Sequence, residues 1–115
     1  MSITRHGPWE LGNEVVEANG FVFTGGVVAE DLTQGMKGQT EQVLKDIDRL
    51  LAMCGSDKSK IITTTIFVND IRDRASLNEA WMAWTGGKNL PGRACVEAKM
   101  ADPAMRVEMM VVAAK

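Results

Sequence analysis

The segment Met105-Arg106-Val107-Glu108-Met109-Met110-Val111-Val112 decides the fold class, because it predicts a strand that is largely apolar on both faces. Side chains alternate along a strand, so one face carries Val107, Met109 and Val111, and the other carries Arg106, Glu108, Met110 and Val112. A carboxylate among aliphatic residues costs free energy unless it is paired or used. Glu108 is therefore the first candidate for a functional residue.

A second predicted strand, Pro91–Ala98, carries Arg93 near its start. A guanidinium binds a carboxylate through two parallel hydrogen bonds, so Arg93 on a neighbouring strand could orient both Glu108 and a carboxylate ligand. We expect a site for a small anionic molecule. Two structural alternatives stay open. Arg93 forms an ion pair with Glu97 or with an acid of a neighbouring subunit, and Glu108 neutralises Arg106 of a neighbouring subunit or Arg93 itself.

The first half of the chain predicts a hairpin and a helix. Asn19-Gly20 is typical of a tight turn between strands Glu14–Ala18 and Phe21–Thr24. Apolar residues at helical spacing then predict an amphipathic helix from about Gln39 to Met53, which Gly55 ends.

The second half begins with Ile61–Val68, a β-branched segment typical of a central strand. Asp73 or Ser76 caps a second helix, whose core stripe carries Leu77, Trp81 and Trp84, and Gly86-Gly87 ends it. The predicted order is ββ-α-β-α-ββ, an α+β fold with two helices on one face of a mixed sheet. The other face stays apolar and uncovered, which predicts an oligomer with sites at subunit junctions.

Composition narrows the function classes. The chain has 115 residues, a formal charge of -2 and an estimated pI of 5.4, which predicts one domain over residues 1–115 and disfavours a nucleic-acid partner. No signal peptide or membrane-length apolar run is present, so we expect a soluble cytoplasmic protein. Cys54 and Cys95 are predicted free thiols. The single histidine, His6, leaves no His/Cys/carboxylate cluster with metal-ligand spacing, so no metal is expected.

The chain resembles the RidA family, the YjgF-type reactive-intermediate deaminases, nearly from end to end. The resemblance rests on an ordered set of segments rather than on one motif. They are Phe23-Thr24-Gly25-Gly26, Ile62-Thr63-Thr64-Thr65-Ile66-Phe67-Val68-Asn69-Asp70, Asn78-Glu79-Ala80-Trp81, Pro91-Gly92-Arg93-Ala94-Cys95-Val96-Glu97 and Val107-Glu108-Met109-Met110-Val111-Val112-Ala113.

The resemblance implies a chorismate-mutase-like fold and a homotrimer whose second sheet faces form a central barrel. It also implies cofactor-free hydrolysis of 2-imino acids or enamines, such as 2-iminopropanoate and 2-iminobutanoate, to 2-keto acids and ammonia. Arg93 matches the residue that binds the substrate carboxylate, and Glu108 is expected to activate water. The positions of Gly26 and Cys95 line the same pocket between subunits, and we assign Gly25 and Trp9 to it as well.

The chain differs from the family pattern at the pocket entrance, which indicates a diverged branch with a short loop. A Gly-Pro-Tyr entry is Gly7-Pro8-Trp9 here, a Thr-Ser-Gly turn is Thr24-Gly25-Gly26, and the loop that follows is shortened to residues 27–32. Two other functions therefore stay open. One is a non-catalytic trimer that binds small carboxylates, and the other, less favoured, is an endoribonuclease. Cys95 has no histidine partner in the sequence and is expected to pack as an apolar residue.

Overall fold

The computed structural model describes all residues from Met1 to Lys115. Seven strands and two helices follow one another along the chain: β1 (Ile3–Trp9), β2 (Gly12–Ala18), β3 (Phe21–Thr24), β4 (Val27–Val28), α1 (Met36–Met53), β5 (Ile61–Val68), α2 (Arg74–Thr85), β6 (Gly92–Glu97) and β7 (Val107–Ala114). Short 3₁₀ turns, Lys58–Lys60 and Ile71–Asp73, precede β5 and α2.

The strands form one mixed sheet in the order β1-β2-β3-β7-β5-β6, with the short β4 also paired to β7. Only β5 and β6 run parallel, and the other pairs are antiparallel. The predicted mixed α+β fold is therefore confirmed, but the predicted element order lacked β1 and β4. β1 pairs with β2 from Ile3 opposite Ala18 to Trp9 opposite Gly12, and its mostly exposed edge gives no apolar alternation that a sequence pattern could detect.

The predicted hairpin and helix ends are confirmed. Asn19 and Gly20 have φ angles of 52° and 81°, which place Ala18 opposite Phe21 across a two-residue turn. Helix α1 is followed by Gly55 with φ of 72°, and α2 ends at Gly86 with φ of 64°. Asp73, one of the two predicted caps, occupies the N-cap position of α2, but its side chain accepts no capping hydrogen bond.

Helix α1 begins at Met36, one turn earlier than predicted, because its first turn buries polar side chains. Gln39 is fully buried, and its Nε2 donates to the carbonyl oxygens of Leu32, Gln34 and Ala104, at 3.3, 3.0 and 2.9 Å. Its Oε1 accepts from the backbone N–H of Arg106 at 2.9 Å. Gln39 thus fixes the backbone just before β7. Strand β7 begins at Val107, two residues after the predicted start at Met105, so Arg106 lies just outside the strand.

The two faces of the sheet differ in burial. Val107, Met109 and Val111 of β7 lie at most 2% exposed in one core with α1 and α2, together with Leu77 and Trp81. Trp84 is only half-buried, since its Nε1 donates to Asp48.

The opposite face, here called the open face, exposes large apolar side chains. Phe21, Phe23, Val96 and Met110 are 39%, 42%, 48% and 40% exposed. The predicted uncovered apolar face is therefore confirmed for the single chain. Neither helix has the length and apolar character that crossing a membrane requires.

Candidate functional site

Glu108 lies on the open face of β7, between two strands. Its Cα pairs with Val28 of β4 on one side and with Phe67 of β5 on the other. The side chain is half-buried and forms no ion pair within the chain, with Arg106 or any other cation. The alternative in which Glu108 neutralises Arg93 is therefore wrong within one chain, whereas the alternative with Arg106 of a neighbouring subunit stays a prediction.

Gly26 lies directly against the Glu108 carboxyl group. A Cβ atom built on Gly26 would lie 3.0 Å from Glu108 Cδ, and closer still to Oε2. Real Cβ atoms keep a greater distance, so the carboxyl group occupies the space that any other residue would fill. The Gly25 N–H donates to the carbonyl of Glu14 at 2.8 Å, which holds this turn against β2.

Trp9 joins the two glycines at a small cavity of about 280 Å³, which they line together with Asn13 and residues of β4. The Trp9 ring, 58% exposed, lies over Gly12, where a Cβ would sit 3.7 Å from Nε1. Trp9 lies opposite Gly12 across the β1–β2 pair, so its indole covers the space that Gly12, which has no side chain, leaves open. The structure thus brings Trp9, Gly25 and Gly26 together, with Glu108 on the other side of Gly26.

Arg93 occupies a different part of the molecule. Strand β6 is the edge of the sheet, and Arg93 pairs there with Thr64, whose side chain faces the helices. Its guanidinium donates to Asn78 Oδ1 of α2 and lies 5.3 Å from the centre of the Trp81 ring. Both contacts are neutral, so the positive charge is held in place but not neutralised.

The alternative ion pair between Arg93 and Glu97 is not formed within the chain. Glu97 Oε1 instead accepts from the Ile71 N–H at 3.1 Å, at the start of the short turn before α2. An acid from a neighbouring subunit remains a possible partner of Arg93 in that alternative.

Arg93 and Glu108 therefore lie on opposite faces of the sheet, with β5 between their strands. The expectation that Arg93 orients Glu108 directly is wrong for a single chain. The reason is strand parity: Arg93 is in register with Thr64 on the helix face, whereas Glu108 is in register with Phe67 on the open face.

Cys95 shares the helix face with Arg93, two residues further along β6 and opposite Ile66. It is partly buried against the core, and burial raises the pKa of its thiol, while the nearby Arg93 charge acts in the opposite direction. A thiol protonated at neutral pH is a poor nucleophile. This agrees with the expected packing role.

Sequence reasoning missed two residues beside Arg93. Asn78 and Trp81 stand one turn apart on α2, and the helical pattern assigned Trp81 to the core alone, which its 5% exposure supports. The structure shows that the Trp81 ring also contacts the guanidinium of Arg93, because β6 lies against α2 at this point. The largest cavity, about 950 Å³, is elsewhere, beyond the ends of β5 and β6 around Asn69 and Arg72, and none of the predicted site residues line it.

The sequence has no His/Cys/carboxylate cluster with metal-ligand spacing, but the fold brings three such residues together. His6 of β1, Glu17 of β2 and Cys54 after α1 place their donor atoms within 4.8 Å of one another. Hydrogen bonds from Lys115 and then from His6 lower the pKa of Glu17, whereas burial and the neighbouring Glu17 raise the pKa of Cys54. Three separate elements supply the three residues, so no short spacing in the sequence could reveal them.

Comparison with known proteins places the chain in a family. Residues 7–115 match the model of the Endoribonuclease L-PSP family. A RutC family protein of Haemophilus influenzae is 43% identical, with 98% of each chain covered. The RutC family protein YoaB of Escherichia coli is 39% identical over 87% of this chain and 86% of that protein.

Solved structures agree with this assignment. A YjgF family member from Neisseria meningitidis, known from its crystal structure, is 42% identical in sequence. The match covers 100% of this chain and 96% of that chain, with a TM-score of 0.96. A protein of the conserved Rid family from Yersinia pestis, 29% identical, covers 94% of this chain and 90% of its own with a TM-score of 0.87. The sequence resemblance is confirmed, and the chain belongs to the Endoribonuclease L-PSP family, among its RutC and YjgF relatives.

Proposed function

We propose that this protein hydrolyses reactive 2-imino acids and their enamine tautomers to 2-keto acids and ammonia, in pockets between the subunits of a homotrimer. The observation that carries the proposal is the placement of two unpaired charges. Arg93 is held on the helix face by neutral partners, and Glu108 lies against Gly26 on the open face. Each is half of a site for an anionic substrate, and one chain cannot join them.

Assembly of the subunits brings Arg93 and Glu108 together in this proposal. The apolar side chains exposed on the open face favour burial against other copies of the chain, and closed symmetric assemblies are the usual way to bury such a face. In a trimer with these faces forming a central barrel, the β6 edge of one subunit meets the Trp9 and Gly26 region of the next. The Arg93 of one subunit then shares a pocket with the Glu108 of another.

Arg93 binds the substrate in this proposal. Its planar guanidinium presents two parallel N–H groups to the 2-carboxylate, while Asn78 and Trp81 limit the rotamers from which it can do so. Binding the carboxylate at a fixed point places C2 at a fixed distance from the wall of the pocket. Orientation of this kind accounts for much of the rate increase in reactions whose electrophile is already activated.

Glu108 acts as the general base. The carboxylate takes a proton from water as the water oxygen bonds to C2 and the protonated imine nitrogen becomes an amine. The resulting amino-carbinol collapses when the nitrogen receives the proton from Glu108 and the C2–N bond breaks. As the C2=O bond forms, the hydroxyl proton passes through water to the leaving ammonia, which departs as ammonium. Water supplies the oxygen of the 2-keto acid, and the protons balance without a cofactor.

The test is ammonia release from freshly generated 2-iminopropanoate and 2-iminobutanoate. We expect Arg93→Ala to lose substrate binding and Glu108→Gln to keep binding but lose turnover by about 10²–10⁴-fold. Matched controls are Arg72→Ala and Glu41→Gln, an exposed arginine and an exposed acid away from both half-sites. Wild-type protein that fails to accelerate ammonia release contradicts the proposal.

The same proteins separate the two other functions. Arg93-dependent binding of pyruvate or 2-ketobutyrate without ammonia release indicates a non-catalytic carboxylate-binding protein. RNA cleavage that copurifies with the wild type and disappears in Arg93→Ala indicates a ribonuclease. Light scattering that finds only monomers contradicts the shared pocket.

A further inference from the structure

His6, Glu17 and Cys54 bring three different metal-binding donors to one place. The His6 Nε2 and Glu17 Oε2 atoms are 2.5 Å apart, and both lie within 4.8 Å of the Cys54 thiol. Cys54 is 3% exposed, and the His6 and Glu17 side chains are 27% and 14% exposed. The group is therefore largely shielded, unlike a chance cluster of surface acids.

Three elements place these side chains together on the helix side of the sheet. His6 lies opposite Val15 in the β1–β2 pair, and Glu17 lies opposite Val22 in the β2–β3 pair. Val15 and Val22 are buried core residues. Cys54 caps the end of α1, where its N–H donates to Leu51. Because Glu108 lies on the open face, this cluster is separate from the proposed deaminase pocket.

Lys115 orients the carboxylate without occupying the side that faces His6. Its Nζ lies 2.7 Å from Glu17 Oε1, while Oε2 faces His6. The Lys115 backbone N–H also donates to Gly20 at 3.0 Å, which fixes the end of the chain. Metal-binding carboxylates commonly have such an outer hydrogen-bonding partner, which fixes their orientation.

The cluster has a route to solvent. A polar cavity of about 150 Å³ is lined by Glu17 and Lys115 together with the β2–β3 turn. An ion and a water molecule can reach the Glu17 carboxylate through it. A plausible metal site requires a suitable donor set, an outer partner and an entry path, and all three are present.

We propose that His6, Glu17 and Cys54 form a binding site for one Zn²⁺ ion per chain. Imidazole nitrogen, carboxylate oxygen and thiolate sulfur are the three donor types that zinc uses, and three protein ligands leave a fourth tetrahedral position for water. Binding replaces the hydrogen bond between His6 and Glu17: the proton leaves Nε2, the neutral ring carries its proton on Nδ1, and the Nε2 lone pair binds the metal. The thiol proton of Cys54 is released to solvent. The metal then joins β1, β2 and the end of α1.

The required rearrangement is small. Zinc–ligand distances of about 2.0–2.2 Å at tetrahedral angles separate nitrogen and oxygen ligands by roughly 3.3 Å. The His6 and Glu17 atoms, 2.5 Å apart, must therefore move apart by less than the length of a bond. His6 lies on the edge strand, where a change of side-chain rotamer displaces no core residue.

The first experiment titrates tag-free, reduced protein with Co²⁺ and then displaces it with Zn²⁺. A tetrahedral cobalt site with a thiolate ligand gives both visible d–d bands and a sulfur-to-cobalt charge-transfer band. We expect one ion per chain and loss of the charge-transfer band in Cys54→Ala. The matched control Cys95→Ala, which removes the other thiol, keeps the band.

Calorimetry with Zn²⁺ gives the second readout. We expect His6→Asn to weaken binding by about 100-fold or more, since the loss of even an outer partner of a metal ligand costs about 10–100-fold. As His6 is the only histidine, its ring nitrogens also give a single pair of NMR signals, and Zn²⁺ should shift Nε2. If Cys54→Ala does not fold, His6→Asn and this NMR signal still decide the question.

Two results overturn the site. One is a wild-type cobalt spectrum without the thiolate band. The other is Zn²⁺ affinity that is unchanged in a folded His6→Asn variant, which assigns any bound ion to other surface groups. Neither result depends on deaminase activity, so the proposed function stands or falls separately.

Discussion

The contact between Gly26 and Glu108 allows a sharp test of how the carboxylate is positioned. In Gly26→Ala, the new Cβ lies 3.0 Å from Glu108 Cδ, whereas carbon atoms in contact prefer about 3.5–4.0 Å. Glu108 Oε2 lies closer still to this Cβ, so the carboxyl group must retreat by about 1 Å or more. The obstacle is the end of a flexible side chain rather than backbone, so the group can move without disturbing the fold.

Turnover and stability should respond differently to this change. A displacement of about 1 Å at a catalytic group can cost roughly 10²-fold in rate, which corresponds to about 2.7 kcal/mol of transition-state stabilisation. The stability change should stay within about 1 kcal/mol, because alanine also restricts the unfolded chain. The assay is kcat/KM for ammonia release from 2-iminopropanoate, with urea unfolding measured on the same protein.

The control is Gly35→Ala, whose Cβ meets no atom within 4 Å and which lies far from Glu108 in the sequence, at the start of α1. Its turnover should match that of the wild type. Wild-type kcat/KM in Gly26→Ala, together with an inactive Glu108→Gln, would refute the claim that Gly26 sets the position of the base. An active Glu108→Gln would remove the base itself.

Three further predictions concern other parts of the molecule. Asn78→Asp places a carboxylate of the same size against Arg93, so calorimetry should show weaker binding of pyruvate while circular dichroism stays unchanged; equal affinity would show that the guanidinium is not the anion site. Gln39→Leu leaves three carbonyls and one N–H of the buried network without their partner, and urea unfolding should show a loss of about 3 kcal/mol or more; a loss below about 1 kcal/mol would mean that water replaces the amide. A hydrogen bond from Arg72 lowers the pKa of Asp70 from 3.8 to about 2, so the carboxylate stabilises the fold above the unfolded pKa and this contribution is lost as the pH falls through about 2. The stability difference between wild type and Asp70→Asn should therefore be constant above about pH 5 and shrink below it; a constant difference down to pH 2 would exclude the pairing.

The elements with strong local signals could be predicted from the sequence. The Asn19-Gly20 turn, strand β5 and the ends of both helices follow from backbone conformations or β-branched runs that few other residues replace. Strand β1 could not be predicted, since an edge strand with polar side chains gains its order from pairing with β2 rather than from its own pattern. The early start of α1 depends on Gln39, whose four partners come from two segments, residues 32–34 before α1 and residues 104–106 before β7.

The site was predicted residue by residue but not as a geometry. Arg93 and Glu108 could be selected because a charge in an apolar strand is unusual. Their placement on opposite faces depends on the register of both strands against β5, which depends on the whole sheet. The His6, Glu17 and Cys54 cluster was missed for the same reason: its members meet only after β1 has paired and α1 has ended beside them.

The edge position of β6 links substrate binding to assembly. An edge strand presents unpaired backbone groups, and natural proteins normally cover or protect such an edge. Here the same edge carries Arg93, whose exposed charge would attract a carboxylate only weakly in bulk water. If a neighbouring subunit covers the edge, it excludes water from the guanidinium and brings a second chain's Glu108 to the same ligand. Coverage of β6 by a neighbouring subunit would then both protect the edge strand and strengthen the anion site. An acid of the same chain would compete with the ligand for Arg93, which explains why its partners within the chain are neutral.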